Sequence, residues 1–140
     1  MNTSKLLQQY NDAWNERNFA IFAQIFADGV TYWDPFVAKP LPAGEMGAYA
    51  QQLLTAFPDL RFDVTFERSG ADFGTFEWVM RGSNSGESAL HPATSRPLAL
   101  PGIDLITVED GRIRAIKAYF DVREYARQLG LETLRIPSFS

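Results

Sequence analysis

The sequence predicts an α+β domain, helices first and an antiparallel sheet after. Apolar residues recur every three or four positions in the first half and every two in the second, and no linker or internal repeat divides the chain. A length of 140 residues fits one domain, spanning 1–140, that buries roughly two thirds of the surface its unfolded chain would expose. The core comes from a composition that is 46% hydrophobic and 14% aromatic, which excludes disorder.

Leu6 or Leu7, Tyr10 and Ala13 or Trp14 mark one helical face, so the first helix runs to about Arg17 with Thr3 or Ser4 as its cap. A second stripe, Phe19, Phe22, Ala23 and Phe26, predicts a helix ending at Asp28-Gly29. Val30 to Asp34 is β-branched and aromatic and stops at Pro35, a short strand. After Pro40 and Pro42, the residues Met46, Tyr49 or Ala50, Leu53 and Phe57 mark a third helix closed by Pro58. Leu60, Phe62, Val64 and Phe66 then alternate with Arg61, Asp63, Thr65 and Glu67, the period of a half-exposed strand, and Ser69-Gly70 turns it back. Strands follow over 72–82, about 97–108 and 112–120, the last two joined by the hairpin signal Glu109-Asp110-Gly111. A short helix from Val122 to Gly130 closes the chain. The polar stretch between Gly82 and Pro97 is long for a compact domain, which makes it either a lid or binding rim or a long exposed hairpin tip.

Composition removes several function classes. There is no cysteine and one histidine, His91, so disulfides, thiolate metal sites and imidazole clusters are excluded. Thirteen basic against 17 acidic residues leave a net charge of -4, and nothing to neutralise a phosphate backbone, so nucleic acid is not an expected partner. No apolar run reaches membrane-helix length and none of signal-peptide type follows Met1, so a cytoplasmic protein is the expectation.

Strand alternation groups the candidate site residues. Asp34 shares a face with Tyr32 and Val30, Asp104 with Ile106 and Val108, and Asp121 with Tyr119 and Lys117; Tyr10 lies on the inward stripe of the first helix. Each has a plainer reading. Asp34 before Pro35 can simply start a turn, and Tyr10, Trp14, Tyr32, Trp78 and Met80 can be ordinary core. Asp104 between Ile103 and Leu105 is harder to explain so, because a carboxylate in an apolar strand costs several kcal/mol unless protonated or paired, Arg81 being the candidate partner.

Several motifs are shared with known families. The order of elements resembles the nuclear transport factor 2-like fold, a cone-shaped α+β barrel with three N-terminal helices packed on a curved, mostly antiparallel sheet. Gln9-Tyr10, Asn15, Phe26-Ala27-Asp28, Thr31 and Asp34-Pro35, with Ile103-Asp104 and Ala118-Tyr119-Phe120 later in the chain, resemble the bacterial ketosteroid isomerases. Gly82 to Glu87, Thr94-Ser95-Arg96 and Glu109 to Ile113 resemble the hairpins of SnoaL-like polyketide cyclases. Tyr119 to Tyr125 is similar to the C-terminal segment of limonene epoxide hydrolase, of whose Asp-Arg-Asp set Arg81 and Asp121 have counterparts.

The isomerase resemblance implies a cofactor-independent proton transfer on an apolar cyclic ketone. In it Asp34 is the base, while Tyr10 and a protonated Asp104 donate to the enolate oxygen. The logic of a carboxylic acid kept neutral by an apolar site is the general example that ketosteroid isomerase itself provides. Trp14, Tyr32, Phe57, Arg81, Tyr119 and Asp121 are the expected substrate-binding residues, and no metal or cofactor is expected. A cyclase or epoxide hydrolase of the same fold, or a small-molecule binding domain without chemistry, are the alternatives. Finally, Phe76, Trp78, Met80, Ile103, Leu105, Ile116, Ala118 and Phe120 are assigned to the outer sheet face, an apolar surface expected to be covered by a second copy in a homodimer.

Overall fold

A computed structural model describes residues 2–137 and 139 of the chain. Helix α1 (Thr3–Glu16) leads through a 3-10 turn (Phe19–Ile21) and the four-residue α2 (Phe22–Ile25) into strand β1 (Phe26–Trp33). A two-residue β2 (Leu41–Pro42) precedes α3 (Ala43–Ala56); strands β3 (Arg61–Ser69), β4 (Phe73–Ser83), β5 (Pro97–Glu109) and β6 (Arg112–Phe120) follow, and α4 (Val122–Leu129) ends the regular structure. The six strands form one curved, unclosed sheet in the order β2-β1-β6-β5-β4-β3, antiparallel except where β1 runs parallel to β6. This is the architecture of the nuclear transport factor 2-like fold.

The helix at the N-terminus forms where the periodicity places it. Leu6, Leu7, Tyr10, Ala13 and Trp14 are its buried stripe. Its cap is Asn2, whose side chain accepts from the Lys5 N–H, and Ser4 instead donates to Glu67 on β3. Asn15 stitches the helix to the sheet, accepting from the Phe62 N–H at 2.8 Å and donating to the Phe62 carbonyl at 2.9 Å.

The second helix departs from the expectation. It ends at Ile25, and Phe26 already belongs to β1. Phe26 pairs with Ile113 and Thr31 with Ala115, with a register irregularity between them that holds Gly29 at φ +78°. Parallel pairing with β6 outweighs a local helical stripe, as tertiary context often does.

The face assignment of the sheet is corrected. Residues paired across strands project to one side, and the register joins Phe76 to Asp104 to Ala118, Trp78 to Gly102 to Phe120, and Met80 to Leu100. Phe76, Trp78, Met80, Ile116 and Ala118 are therefore buried on the helix side, with Phe120 half-buried beside them. Of the expected outer face only Ile103 and Leu105 lie outside, in register with Tyr119 and Lys117. Leu105 is 46% exposed and Tyr119 44%, and Trp33 packs on Tyr119 with ring centroids 5.4 Å apart. The surface suggested for a homodimer thus shrinks to this patch. Alternation tells which residues of one strand share a face, but the phase between strands is set by pairing and by the irregularity between Thr107 and Val108.

The 83–96 segment is partly exposed but anchored by buried polar residues. Asn84 is fully buried: its amide donates to the carbonyls of Ala56 and Gly86, and its oxygen accepts from the Thr94 N–H and hydroxyl. His91 Nδ1 lies 2.7 Å from the Pro92 carbonyl, to which it donates, and Nε2 is hydrogen-bonded to the Tyr125 hydroxyl at 2.7 Å. These bonds fasten the segment to the end of α3 and to α4. Asn84→Ala should cost of order 3 kcal/mol, since it strands buried donors and acceptors at once. Urea unfolding checks this, and a loss below about 0.5 kcal/mol would show the segment to be loosely held.

Candidate functional site

One cleft runs into the interior between the helices and the sheet. Tyr10, Asn11 and Trp14 line it from α1, Tyr32 from β1, Tyr49 and Leu53 from α3, Phe62 from β3, and Phe76, Trp78 and Met80 from β4. Leu100 and Asp104 of β5, Ala118 and Phe120 of β6, and Asp34 and Phe36 beyond β1 complete it. Its half-buried members, Asn11, Leu53, Phe62 and Phe120, mark the way to solvent. The lining is mostly apolar and aromatic, the usual character of a small-molecule site.

Asp34 follows directly on β1, and the turn after it brings its carboxylate back over the strand end. Oδ1 accepts from the Phe36 N–H at 2.7 Å, and the Val37 N–H bonds to the Asp34 carbonyl. Asp34 therefore does start a turn, the plainer reading of Asp-Pro, but its side chain also faces the cleft. Oδ2 accepts two phenolic hydroxyls, Tyr49 at 2.6 Å and Tyr32 at 2.8 Å. Burial raises the Asp34 carboxyl above the usual carboxylate range, and the bonds from Tyr49, Tyr32 and Phe36 pull against it.

Asp104 sits on β5 with its side chain inward, 6% exposed. Among the described residues only Oδ1 has a protein partner, the Trp78 indole N–H at 2.9 Å, and Oδ2 is left to the cleft. Burial pushes this carboxyl up to about 7, opposed by the Trp78 bond and reinforced by the charge of Asp34. Gly102 makes the Trp78 position attainable, since a Cβ there would run into the indole ring. Tyr10 lies among Phe22, Phe26 and Phe76. Its phenol is held well above the usual tyrosine range by burial and then by the charge of Asp104, with a bond from Trp14 working the other way.

The structure thus brings Tyr10, Asp34, Asp104, Trp14 and Tyr32 to one cavity and leaves four expected binding residues outside it. Phe57 is wholly buried against Tyr125, away from the cleft. Arg81 is exposed and pairs with Asp63 at 2.8 Å, not with Asp104. Tyr119 is on the outer face, and Asp121 caps α4 by accepting from the N–H groups of Arg123 and Glu124. Tyr49 and Trp78 are polar-tipped lining residues that the sequence reading left out of the site, Tyr49 entering it only as a helix marker and Trp78 as core or outer sheet face. The signal was present in kind, since a buried Tyr or Trp needs a partner for its O–H or N–H, but the partners are 15 and 26 residues away. Among the described residues, no group of three or more His, Cys, Asp or Glu side chains could hold a metal ion, and no helix is long and apolar enough to cross a membrane.

The sequence profile of the SnoaL-like domain matches residues 7–116. The chain belongs to the SnoaL-like domain family. No significant match was found among curated proteins. Among solved structures, this SnoaL-like domain is similar to IdmH, a candidate polyketide cyclase from Streptomyces antibioticus, at 22% identity and a TM-score of 0.82, covering 94% of this chain and 100% of that one. A protein with a ketosteroid isomerase-like fold from Catenulispora acidiphila matches at 19% identity and a TM-score of 0.76, over 90% and 92% of the two chains. AclR from Streptomyces galilaeus, a candidate hydroxylase, matches at 17% identity and a TM-score of 0.76, over 91% and 80%. At these identities the likeness is one of fold. The SnoaL-like family places the domain in the nuclear transport factor 2-like superfamily.

Proposed function

We propose that this domain is a cofactor-independent acid–base catalyst that enolises a carbonyl compound with an apolar ring body, in the manner of a ketosteroid isomerase. The observation that carries the reading is the meeting of Asp34, Asp104 and Tyr10 in one apolar cleft. Asp34 takes a proton from the carbon beside the carbonyl. The C–H electron pair forms the enolate double bond, and charge moves to the carbonyl oxygen. Tyr10 and protonated Asp104 donate to that oxygen where the charge grows, in a cleft whose low dielectric strengthens both bonds. In the isomerase reading Asp34 returns the proton to a second carbon of the same system.

A polyketide-cyclase reading has one observation in its favour. Three donors anchor Asp34, and an anchored carboxylate reaches one carbon more readily than it shuttles between two. In that reading the enolate carbon attacks a second carbonyl of the substrate, and Asp104 gives its proton to the alkoxide so formed.

A β,γ-unsaturated ketosteroid incubated with the protein in D₂O separates the readings. Deuterium entering beside the carbonyl faster than in buffer establishes enolisation, and conversion to the conjugated ketone adds the isomerase step. Tight binding without exchange would reduce the domain to a binding module.

A further inference from the structure

The two buried carboxyls differ sharply in how they are held. Asp34 receives three hydrogen bonds, from the Tyr32 and Tyr49 hydroxyls and the Phe36 N–H, whereas Asp104 receives one, from Trp78. Each bond to Asp34 favours its ionised form, because an anionic oxygen is a far better acceptor than a neutral one. The single bond on Asp104 offsets its burial less. We propose that Tyr32 and Tyr49 are positioning residues that together keep the negative charge of the carboxyl pair on Asp34 and the proton on Asp104. They come from separate elements, β1 and α3, so the clamp exists only when helix and sheet are docked.

The surroundings leave the tyrosines as the deciding groups. The titratable side chains facing Asp34 are Tyr32 from β1, Tyr49 from α3, Tyr10 from α1 and Asp104 from β5. Strands β3, β4 and β6 present Phe62, Phe76, Trp78, Met80, Ala118 and Phe120, and no Lys, Arg or His is among the residues lining the cleft. Among the described residues lining the cleft, no cation competes for the role of stabilising the anion. Burial chiefly, and after it the charge of Asp34, keeps the proton on Asp104. Both hydroxyls bond to Oδ2 and the backbone takes one lone pair of Oδ1, so the remaining Oδ1 lone pair is the one open to a substrate proton. The catalytic meaning of the clamp rests on the reading of Asp34 as the base; the titration behaviour it predicts does not.

Carboxyl ¹³C NMR of the protein labelled at aspartate, followed from about pH 3 to pH 9 without any ligand, tests this directly. Tyr49→Phe and Tyr32→Phe each remove one oxygen and keep the ring. In each, the Asp34 midpoint should rise by about one pH unit, and the Asp104 midpoint should fall, because a neutral Asp34 no longer holds its proton. Such reciprocal movement is the signature of two coupled groups, and a merely structural role for the tyrosines would not produce it. Incorporating 3-fluorotyrosine, a more acidic phenol and so a stronger donor of nearly the same shape, should move both midpoints in the opposite senses, which keeps the test available if a Phe variant does not fold. Midpoints that move in parallel, or an Asp34 midpoint unmoved in the Phe variants or in the fluorinated protein, would overturn the proposal. A protein that enolises no ketone yet shows the reciprocal shifts would refute the proposed reaction and leave the clamp standing.

Discussion

Asp34→Asn should lower turnover of an enolisable ketone by about a hundred- to ten-thousand-fold, the contribution of a positioned general base, while binding a planar phenol more tightly than the parent. A phenolate imitates the enolate: its charged oxygen sits against Tyr10 and Asp104 and its ring over residue 34. Ionised Asp34 repels that charge. After proton abstraction the same residue is neutral, and Asn resembles it in that state. The clamp adds a cost, because an amide keeps one acceptor oxygen where the carboxylate has two. With Oδ1 kept on the Phe36 N–H, the amide nitrogen donates where the carboxylate accepted, so the Tyr32 and Tyr49 hydroxyls must turn from donors to acceptors, and the variant should also be destabilised by about 1 kcal/mol. Tyr10→Phe should weaken the same phenol by about 1–3 kcal/mol, the loss of a bond to a charged oxygen. Turnover, phenol fluorescence titration and thermal unfolding of the variants check all of this together. Retained turnover in Asp34→Asn, or phenol affinities equal across the parent and both variants, would remove the assignment of base and oxyanion donors.

Asp104→Asn should stabilise the protein, and only above acid pH. The Asp104 carboxyl is raised from 3.8 to about 7 in the folded state. Below about pH 4 folded and unfolded chains both carry the proton, and the side chain favours neither. Between there and about pH 7 the unfolded chain has lost a proton that the folded protein keeps, so stability falls as pH rises, and the loss is complete once the folded group ionises. A shift of this size corresponds to about 4 kcal/mol at full extent. Asn has no proton to lose, and its oxygen can still accept from the Trp78 indole. At roughly 3 °C per kcal/mol for a domain of this size, the variant should melt about 10 °C above the parent at pH 8 and at nearly the same temperature at pH 4. A gain that does not vary with pH would mean that Asp104 is not the source of the cost. Sites that keep a carboxyl dry for chemistry commonly sacrifice stability in this way.

The parts of the molecule legible in the sequence are those governed by local patterns. Tyr10 follows from a helical stripe, Asp104 from a carboxylate alternating with buried Ile106 and Val108, and Asp34 from a strand end before proline. The period of each element shows which residues share a face with the group. Arg81 shows where such reasoning stops. Its place on β4 is readable, but its choice of Asp63 over Asp104 depends on which face of the neighbouring strand is wet. Asp121 and Tyr119 fail similarly: the residues flanking the end of β6 cannot show that one caps a helix while the other points to the outside.

The α+β class, the run of the four long strands, the family resemblance and the candidacy of Tyr10, Asp34 and Asp104 all rest on periods and motifs within short stretches of chain. The packed molecule settles which face of the sheet is interior, that a strand replaces the end of the second helix, and that Tyr49 and Trp78 are the donors that reach the two carboxyls. The reason is physical: strand register and the partner of a buried polar group are settled by burial and hydrogen-bond satisfaction over the whole molecule. Neither leaves a mark in the order of neighbouring residues.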